Sequence, residues 1–376
     1  MDFELSSEQV ALRDAADRVL DGVASGDRVR EFVGPADSAP ADGGFDHRLW
    51  QAMAEQGWLA VEQPEDDGGL GLGMVEVAIL CEQLGRRVAP VPFAGTNLAQ
   101  SAFRAAAADE SLSPATREES TVWVERLSTG GAVGCLAWSA SPGASVPASP
   151  DDICALTLRT EPTVFASVSD VAVVVTGDAV YDVPLGPDAR PAPEPAMDRT
   201  RSLAWLQLEE LTARRIGGPA AASRLIDRAA TALAAEMLGA SSRVLEMSVE
   251  YATERVQFGK PIGSFQAVKH RLADALVDVE GMRSGVFYAA WCIASDHPGA
   301  SLAASAAKAW CSDASRRVMA SALQVHGGIG FTWEHDLHLY VKRSQLDQVS
   351  WGDAPFHRER IAAVLSDEPG ADNDLF

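Results

Sequence analysis

Residues 251–273 read YATERVQFGKPIGSFQAVKHRLA. The stretch closes one apolar pattern of helical spacing and opens another, with a polar break rich in Gly, Lys and Pro between them. Beyond the break, Val268, Leu272, Leu276, Val279 and Met282 recur at steps of three and four, the stripe of an amphipathic helix. Before it, helical spacing is expected from about Leu203. Long helices joined by short connections predict a bundle. Within the break, Arg255, Gln257 and Phe258 offer a guanidinium that grips a pyrophosphate, a directional amide donor and an aromatic face. Taken alone, the string also reads as a solvated turn.

Outward from this break the pattern changes twice. From Ser6 to about Ala108 it is helical, opened by a capping box of Ser6 and Gln9. From about Thr121 to Leu185 short β-branched runs such as VAVVV at 171–175 alternate with Pro, Gly, Ser and Asp, predicting a small antiparallel sheet. Residues 186–197 read as an exposed linker. The fold class is therefore mostly α with a small central β domain: an N-terminal helical domain at 1–110, a reduced middle β domain at 111–202 and a C-terminal helical bundle at 203–376. Without βαβ alternation a doubly wound dinucleotide fold is disfavoured. GGLGLG at 68–73 does not satisfy GxGxxG, because Met74 stands three after Gly71, and it reads as a tight turn entering a helix.

Among 376 residues, 31 basic and 53 acidic side chains give a net charge of −22, which opposes binding to nucleic acid or an anionic membrane. No apolar run reaches the ~20 residues of a membrane span, and the start lacks a basic, then apolar, leader, so a cytoplasmic location is expected. Five scattered cysteines without CxxC spacing are expected as buried thiols. Glu334, His335 and His338 suggest a metal site, since the two histidines, three apart, share a helical face, but no further ligands are spaced to complete it, and none is expected.

The 251–273 stretch, QVHGGIGF at 324–331, MDFELSSEQVALRD at the start and PEDDGGLGLGMVEVAILCEQLGR at 64–86 together resemble the acyl-CoA dehydrogenases. The resemblance implies that family's fold and FAD-dependent oxidation of an acyl-CoA thioester to the enoyl-CoA, with electrons passed to an electron-transferring flavoprotein. It implies that Arg255, Gln257 and Phe258 reach across a subunit interface to the pyrophosphate and adenosine half of FAD, and that Gln324, Gly327 and Gly328 form a second cofactor segment; the glycines also read simply as a helix end.

The reaction needs a carboxylate to take the α proton. The resemblance places Asp353, in QVSWGDAPFHRER, opposite the family's usual glutamate; followed by Ala354, Pro355 and Phe356, it is equally a helix N-cap. Glu236, alone in the apolar run ALAAEMLGA, is the second candidate base or else a structural acid. The middle region keeps only LAWSASPGASVP at 136–147 of the family's flavin-contacting motif, leaving Ser139, Ser141 and Thr163 as candidate contacts. Ala229, Ala230, Ala234 and Ala235 leave room on the first bundle helix for a bulky, ring-bearing acyl group, and equally are good helix formers. Three functions stay open: a homo-oligomeric dehydrogenase; one subunit of a heterotetramer with a second chain of the family that shares its FAD site and brings the base; and a flavin-free structural protein of the same fold.

Overall fold

The expected capping box is present: the Ser6 hydroxyl accepts from the Gln9 amide, the Gln9 side chain accepts from the Ser6 amide, and helix α1 (Ser7–Val23) follows. The computed structural model describes residues 4–34, 44–139, 144–145 and 152–367. Five more helices complete the first block: α2 (Gly26–Val33), α3 (His47–Glu55), α4 (Met74–Gly85), α5 (Phe93–Ala108) and α6 (Pro114–Ser128). GGLGLG is the turn into α4, with Gly73 at its N-cap. Helix α6 departs from the sequence reading, which placed strands from about Thr121. Ser113 caps it through the Thr116 amide and Pro114 opens its first turn, two local signals that outweigh the β-branched Thr121 and Val122.

The strands are β1 (Gly134–Trp138), β2 (Ala144–Ser145), β3 (Ile153–Arg159), β4 (Thr163–Val164), β5 (Val171–Val175), β6 (Val180–Pro184), β7 (Leu203–Ala204) and β8 (Gln207–Gly217). Six of them form a sheet in the order β1-β5-β6-β8-β3-β2, while β4 pairs with β7. The sheet is mixed rather than wholly antiparallel, because β1 and β5 run parallel. Val171, Val173 and Val175 face one apolar cluster and Ala172 and Val174 the other, which is why this central strand is a continuous apolar run. The helical spacing expected from Leu203 sets in only at Pro219, after β7 and β8.

Helices α7 (Pro219–Glu254), α8 (Gln266–Ala294) and α9 (Ala300–His326) pack as a bundle, followed by α10 (Leu337–Val349) and α11 (Ala354–Asp367). One apolar core joins both helical blocks, with Leu20 and Leu80 from the first and Met237, Met282, Val318 and Leu339 from the second. The expected α8 stripe holds at Val279 and Met282, but Leu276 is half exposed and Ala275 takes the inward position. Helices α4 and α7 cross at glycines. A Cβ on Gly239 would fall onto the Glu82 carbonyl oxygen, and one on Gly85 onto the Glu236 carbonyl. All five cysteines are buried and unpaired. Among the described residues no helix is long and apolar enough to cross a membrane.

Candidate functional site

The structure gathers the sequence-derived candidates in two separate places. The first is an end of the bundle. Helix α7 stops at Arg255, whose backbone is extended, and the chain reverses through a hairpin of β9 (Val256–Gln257) and β10 (Lys260–Pro261). Phe258 and Gly259 both take positive φ, the requirement of a tight two-residue hairpin turn. A bulky aromatic in that region is uncommon and is held where the surroundings over-determine it. Phe258 is 92% exposed and meets the Phe265 ring edge-on at 6.1 Å. Arg255, Gln257 and Gln324 are also exposed. Gln257 donates to its neighbour's carbonyl, on Val256, and the Arg255 guanidinium has no side-chain partner among the described residues.

The second segment lies beside the first. Tyr251, in the last turn of α7, stacks on His326, the last residue of α9, at 4.6 Å. That contact brings Arg255 and Gly327 to one end of the bundle. Gly327 has a φ of 63°, and a Cβ on either Gly327 or Gly328 would meet nothing within 4 Å, so this backbone is open to a ligand. Val256, Phe331 and Trp333 add exposed apolar surface around the same two segments. Nearby His335 accepts from the Leu337 amide, and among the described residues no three His, Cys, Asp or Glu side chains gather as metal ligands.

The second place is a cavity of about 510 Å³ between the start of α5, the end of β1, the middle of α7 and the loop before α11. Trp138, Phe165, Trp205, Trp351 and Phe356 line it, together with Thr163, Arg201, Glu236 and Asp353. Trp138 stacks on Trp351 at 6.3 Å and takes the edge of Phe356 at 5.0 Å, so aromatic rings fill much of the wall nearest Asp353. Asp353 accepts from the Phe356 amide at 2.9 Å and thereby caps α11.

Glu236 is buried but not free. It is ion-paired with Arg201 and lies 3.7 Å from Arg343; Arg201 also pairs with Asp347, and Arg343 with Asp198 at 2.8 Å. The acid that stands alone in the apolar run of the sequence thus has buried cationic partners in space, as its reading as a structural acid expects. Burial does raise Asp347, against the pull of Arg201 and Arg343, whereas at Asp198 the Arg343 charge and the Thr200 hydroxyl outweigh burial and hold it below the usual range. Ser139 is buried and donates to the Arg159 carbonyl; Thr163 donates to the Glu161 carbonyl. Ser141 lies outside the described residues. Ala229, Ala230, Ala234 and Ala235 are fully buried and do not line this cavity, and the α7 residues that do are Leu233 and Glu236.

Sequence reasoning missed Arg201, Arg343 and Lys308, and it read His357 as a solvated helix residue or a CoA or interface contact, whereas it is buried. Lys308, fully buried, donates to the carbonyls of Gln348 and Gly352, at 3.1 and 2.9 Å, and His357 bonds the Trp351 carbonyl at 2.9 Å. Both therefore fix the loop that carries Trp351 in its left-handed conformation (φ 60°). Burial pushes His357 down to about 4, although the Trp351 carbonyl favours its proton. Its unfolded value is near 6.5, so below that pH the unfolded chain takes a proton that the fold refuses. Stability is then lost progressively as pH falls from about 6.5 to about 4, by roughly 3 kcal/mol in all. Urea midpoints across that window should drop for the parent and less for His357→Gln. Parallel profiles would remove this account.

A family model described as the acyl-CoA dehydrogenase N-terminal domain matches residues 6–130, and one described as the acyl-CoA dehydrogenase C-terminal domain matches residues 217–366. The chain is 36% identical, over 84% of its length and 87% of the relative's, to the acyl-CoA dehydrogenase IpdE2 of Mycobacterium tuberculosis. Its fold is similar to a chain of the ChsE4-ChsE5 complex from Mycobacterium tuberculosis, with a TM-score of 0.87 and 28% identity over 98% of this chain and 100% of that one. It is also similar to a chain of the Tcur3481-Tcur3483 steroid ACAD G363A variant, with a TM-score of 0.84 and 27% identity over 96% and 98% of the two chains. Matched family domains at both ends and a shared architecture throughout lead to one assignment: the chain belongs to the acyl-CoA dehydrogenase family.

Proposed function

We propose that this chain works as one subunit of a heteromeric, FAD-dependent acyl-CoA dehydrogenase, and that its share of the site is the outer half of the cofactor cradle. The observation that carries this reading is the exposed Arg255–Phe258 hairpin set against the open Gly327–Gly328 backbone, a polar and aromatic surface that its own chain leaves uncovered. Those residues fit a pyrophosphate and adenosine: Arg255 supplies a bidentate donor, Gln257 and Gln324 supply amides, Phe258 a flat face and the glycines close approach. FAD, when bound, supplies the redox chemistry of α,β-dehydrogenation. The chain's own residues grip, orient and cover the group, and the exposed Val256, Phe331 and Trp333 are buried by the partner subunit.

The inner cavity supports the division of labour. Removing the α proton needs a carboxylate free to accept it. Glu236 is engaged by Arg201, Asp353 caps α11, the hydroxyl protons of Ser139 and Thr163 go to carbonyls, and Trp138 and Trp351 stack where an acyl group would enter. The base is therefore assigned to the partner, a second chain of the same family, with electrons leaving to an electron-transferring flavoprotein. The resemblance to chains from the ChsE4-ChsE5 complex and from a steroid-acting pair supports both the heteromer and a bulky, ring-bearing acyl thioester as substrate of the assembly. A thioester panel turning over only straight-chain substrates would remove the second half of that statement.

An absorption spectrum from 300 to 550 nm with the mass in solution tests the assembly. Purified alone, the chain is expected to be flavin-poor, gaining flavin when a family partner is co-expressed; stoichiometric flavin on a homo-oligomer of this chain overturns the reading. Asp353 gives a sharper test, since it lines the cavity and is the residue through which a self-sufficient enzyme would act. Asparagine is as good an N-cap as aspartate. Asp353→Asn should leave the assembled enzyme's kcat and melting temperature near the parent's, and Asp353→Ala should lower stability by about 1 kcal/mol. A hundredfold or greater fall in kcat in Asp353→Asn with flavin retained would identify it as the base instead.

A further inference from the structure

Between α5, the end of β8 and the first turns of α7 lies a separate cavity of about 320 Å³, lined by Arg104, Arg224 and Arg228 with Glu62 among them. Its charges do not balance. Glu62 accepts from Arg104 at 2.9 Å and also from Arg228, so a single carboxylate faces three guanidiniums. Among the lining side chains, three positive charges less one leave an excess of two, in a chain whose net charge is −22; outside the lining, the exposed Asp109, held below its ordinary value chiefly by Ser111, also feels the Arg224 charge. Arg224 and Arg228 stand four apart on α7, where like charges repel. Arg224 is exposed and has no ion-paired or hydrogen-bonded partner among the described residues. Arg104 Nη1 and Arg228 Nε are buried without any partner. Leaving a charged donor unsatisfied costs more than leaving a neutral one, so this arrangement is stabilised by whatever anion completes it.

We propose that this cavity is a binding site for a phosphate monoester group. A carboxylate would neutralise half of the excess, whereas a phosphate monoester carries −1.5 to −2 charges near neutral pH, close to the two required. Its several oxygens suit converging guanidinium forks. Both orphaned nitrogens belong to guanidiniums that line the cavity, and the exposed Arg224 stands at its mouth. Burial and the like charge of Arg228 hold the Arg104 guanidinium below its ordinary value despite Glu62, and a bound dianion relieves that repulsion. Ala102, Ile216 and Leu225 give the cavity an apolar side for the body of a larger ligand. Two sources share this chemistry: free inorganic phosphate, and the 3′-phosphate of coenzyme A. The site stands whether or not the flavin reading does, because its test needs neither turnover nor flavin.

The test is calorimetric titration of the full chain, with its partner where the two copurify, using inorganic phosphate, coenzyme A and dephospho-coenzyme A at constant chloride. Arg224→Ala is the variant of choice, since the side chain is exposed and makes no ion pair or hydrogen bond among the described residues, so that its removal leaves the core intact. Saturable binding that Arg224→Ala weakens roughly tenfold, the equivalent of one charge-assisted contact, supports the site. Coenzyme A binding more tightly than both other probes identifies the 3′-phosphate as the natural source; inorganic phosphate binding as tightly as coenzyme A identifies the free ion. The proposal is overturned if neither probe binds, if Arg224→Ala binds as well as the parent, or if dephospho-coenzyme A matches coenzyme A while phosphate is silent.

Discussion

Replacing Arg343 with leucine should lower unfolding stability by about 3–5 kcal/mol, the range expected when one partner is removed from a buried ion pair. The guanidinium is about 1% exposed and is hydrogen-bonded to Asp198 and Thr200, with the carbonyls of Val88 and Ala89 at 3.4 Å. Leucine fills much of the space but leaves Arg201 as the one ion-paired partner of three buried carboxylates, Asp198, Glu236 and Asp347, with the buried Lys308 acting on Asp347 only through its field. Against a net stability of ~5–15 kcal/mol, the loss is enough to cut soluble yield and shift the urea midpoint strongly. Arg343→Lys should fall between, keeping the charge without the planar fork. A leucine variant with the parent's midpoint would mean that the cluster is held by packing rather than by charge.

Arg255→Ala should weaken flavin binding to the assembled protein by about 2–5 kcal/mol, or some thirtyfold to several thousandfold, as when one partner of a hydrogen-bonded charge pair buried at an interface is truncated. Its melting temperature without flavin should not move, because Arg255 is exposed and its guanidinium makes no ion pair or hydrogen bond among the described residues. Gel filtration of the co-expressed assembly, with absorbance read at the flavin bands, separates the two effects. Flavin retained at parental stoichiometry through the column would dismantle the half-site reading.

How legible this was depends on the range over which each feature is determined. The Ser6 cap, the glycine turn into α4 and the reversal after Arg255 are set within a few residues, and all three were readable. Strand β8 was not. Its inward-packing residues run Leu208, Leu211, Ala213 and Ile216, because the register shifts twice: at a bulge around Glu210 (φ 51°), where Leu158 pairs with Leu208 while Leu156 pairs with Leu211, and again where Val180 pairs with Gly217 while Tyr181 pairs with Arg215. One extra residue turns an alternation of two into steps of two and three, which imitates a helix. The ionic cluster was hidden for the opposite reason. Arg201 and Asp347 are separated by 146 residues, and Arg343 with Asp347 on one helix looks like an ordinary surface pair. Asp353 was readable as cap or base, and its bond to the Phe356 amide makes the cap.

The glycine crossing of α4 and α7 has a consequence for how the chain comes apart. With no side chain between the two backbones at Gly85 and Gly239, nothing softens the contact between segments that family domains assign to opposite ends of the sequence. Neither half retains a finished surface once the other leaves, and their core residues belong to one cluster. The amino-terminal helices are therefore a structural limb of the bundle rather than a detachable module, and the amides of α4 exchange with solvent only in the same opening that releases α7.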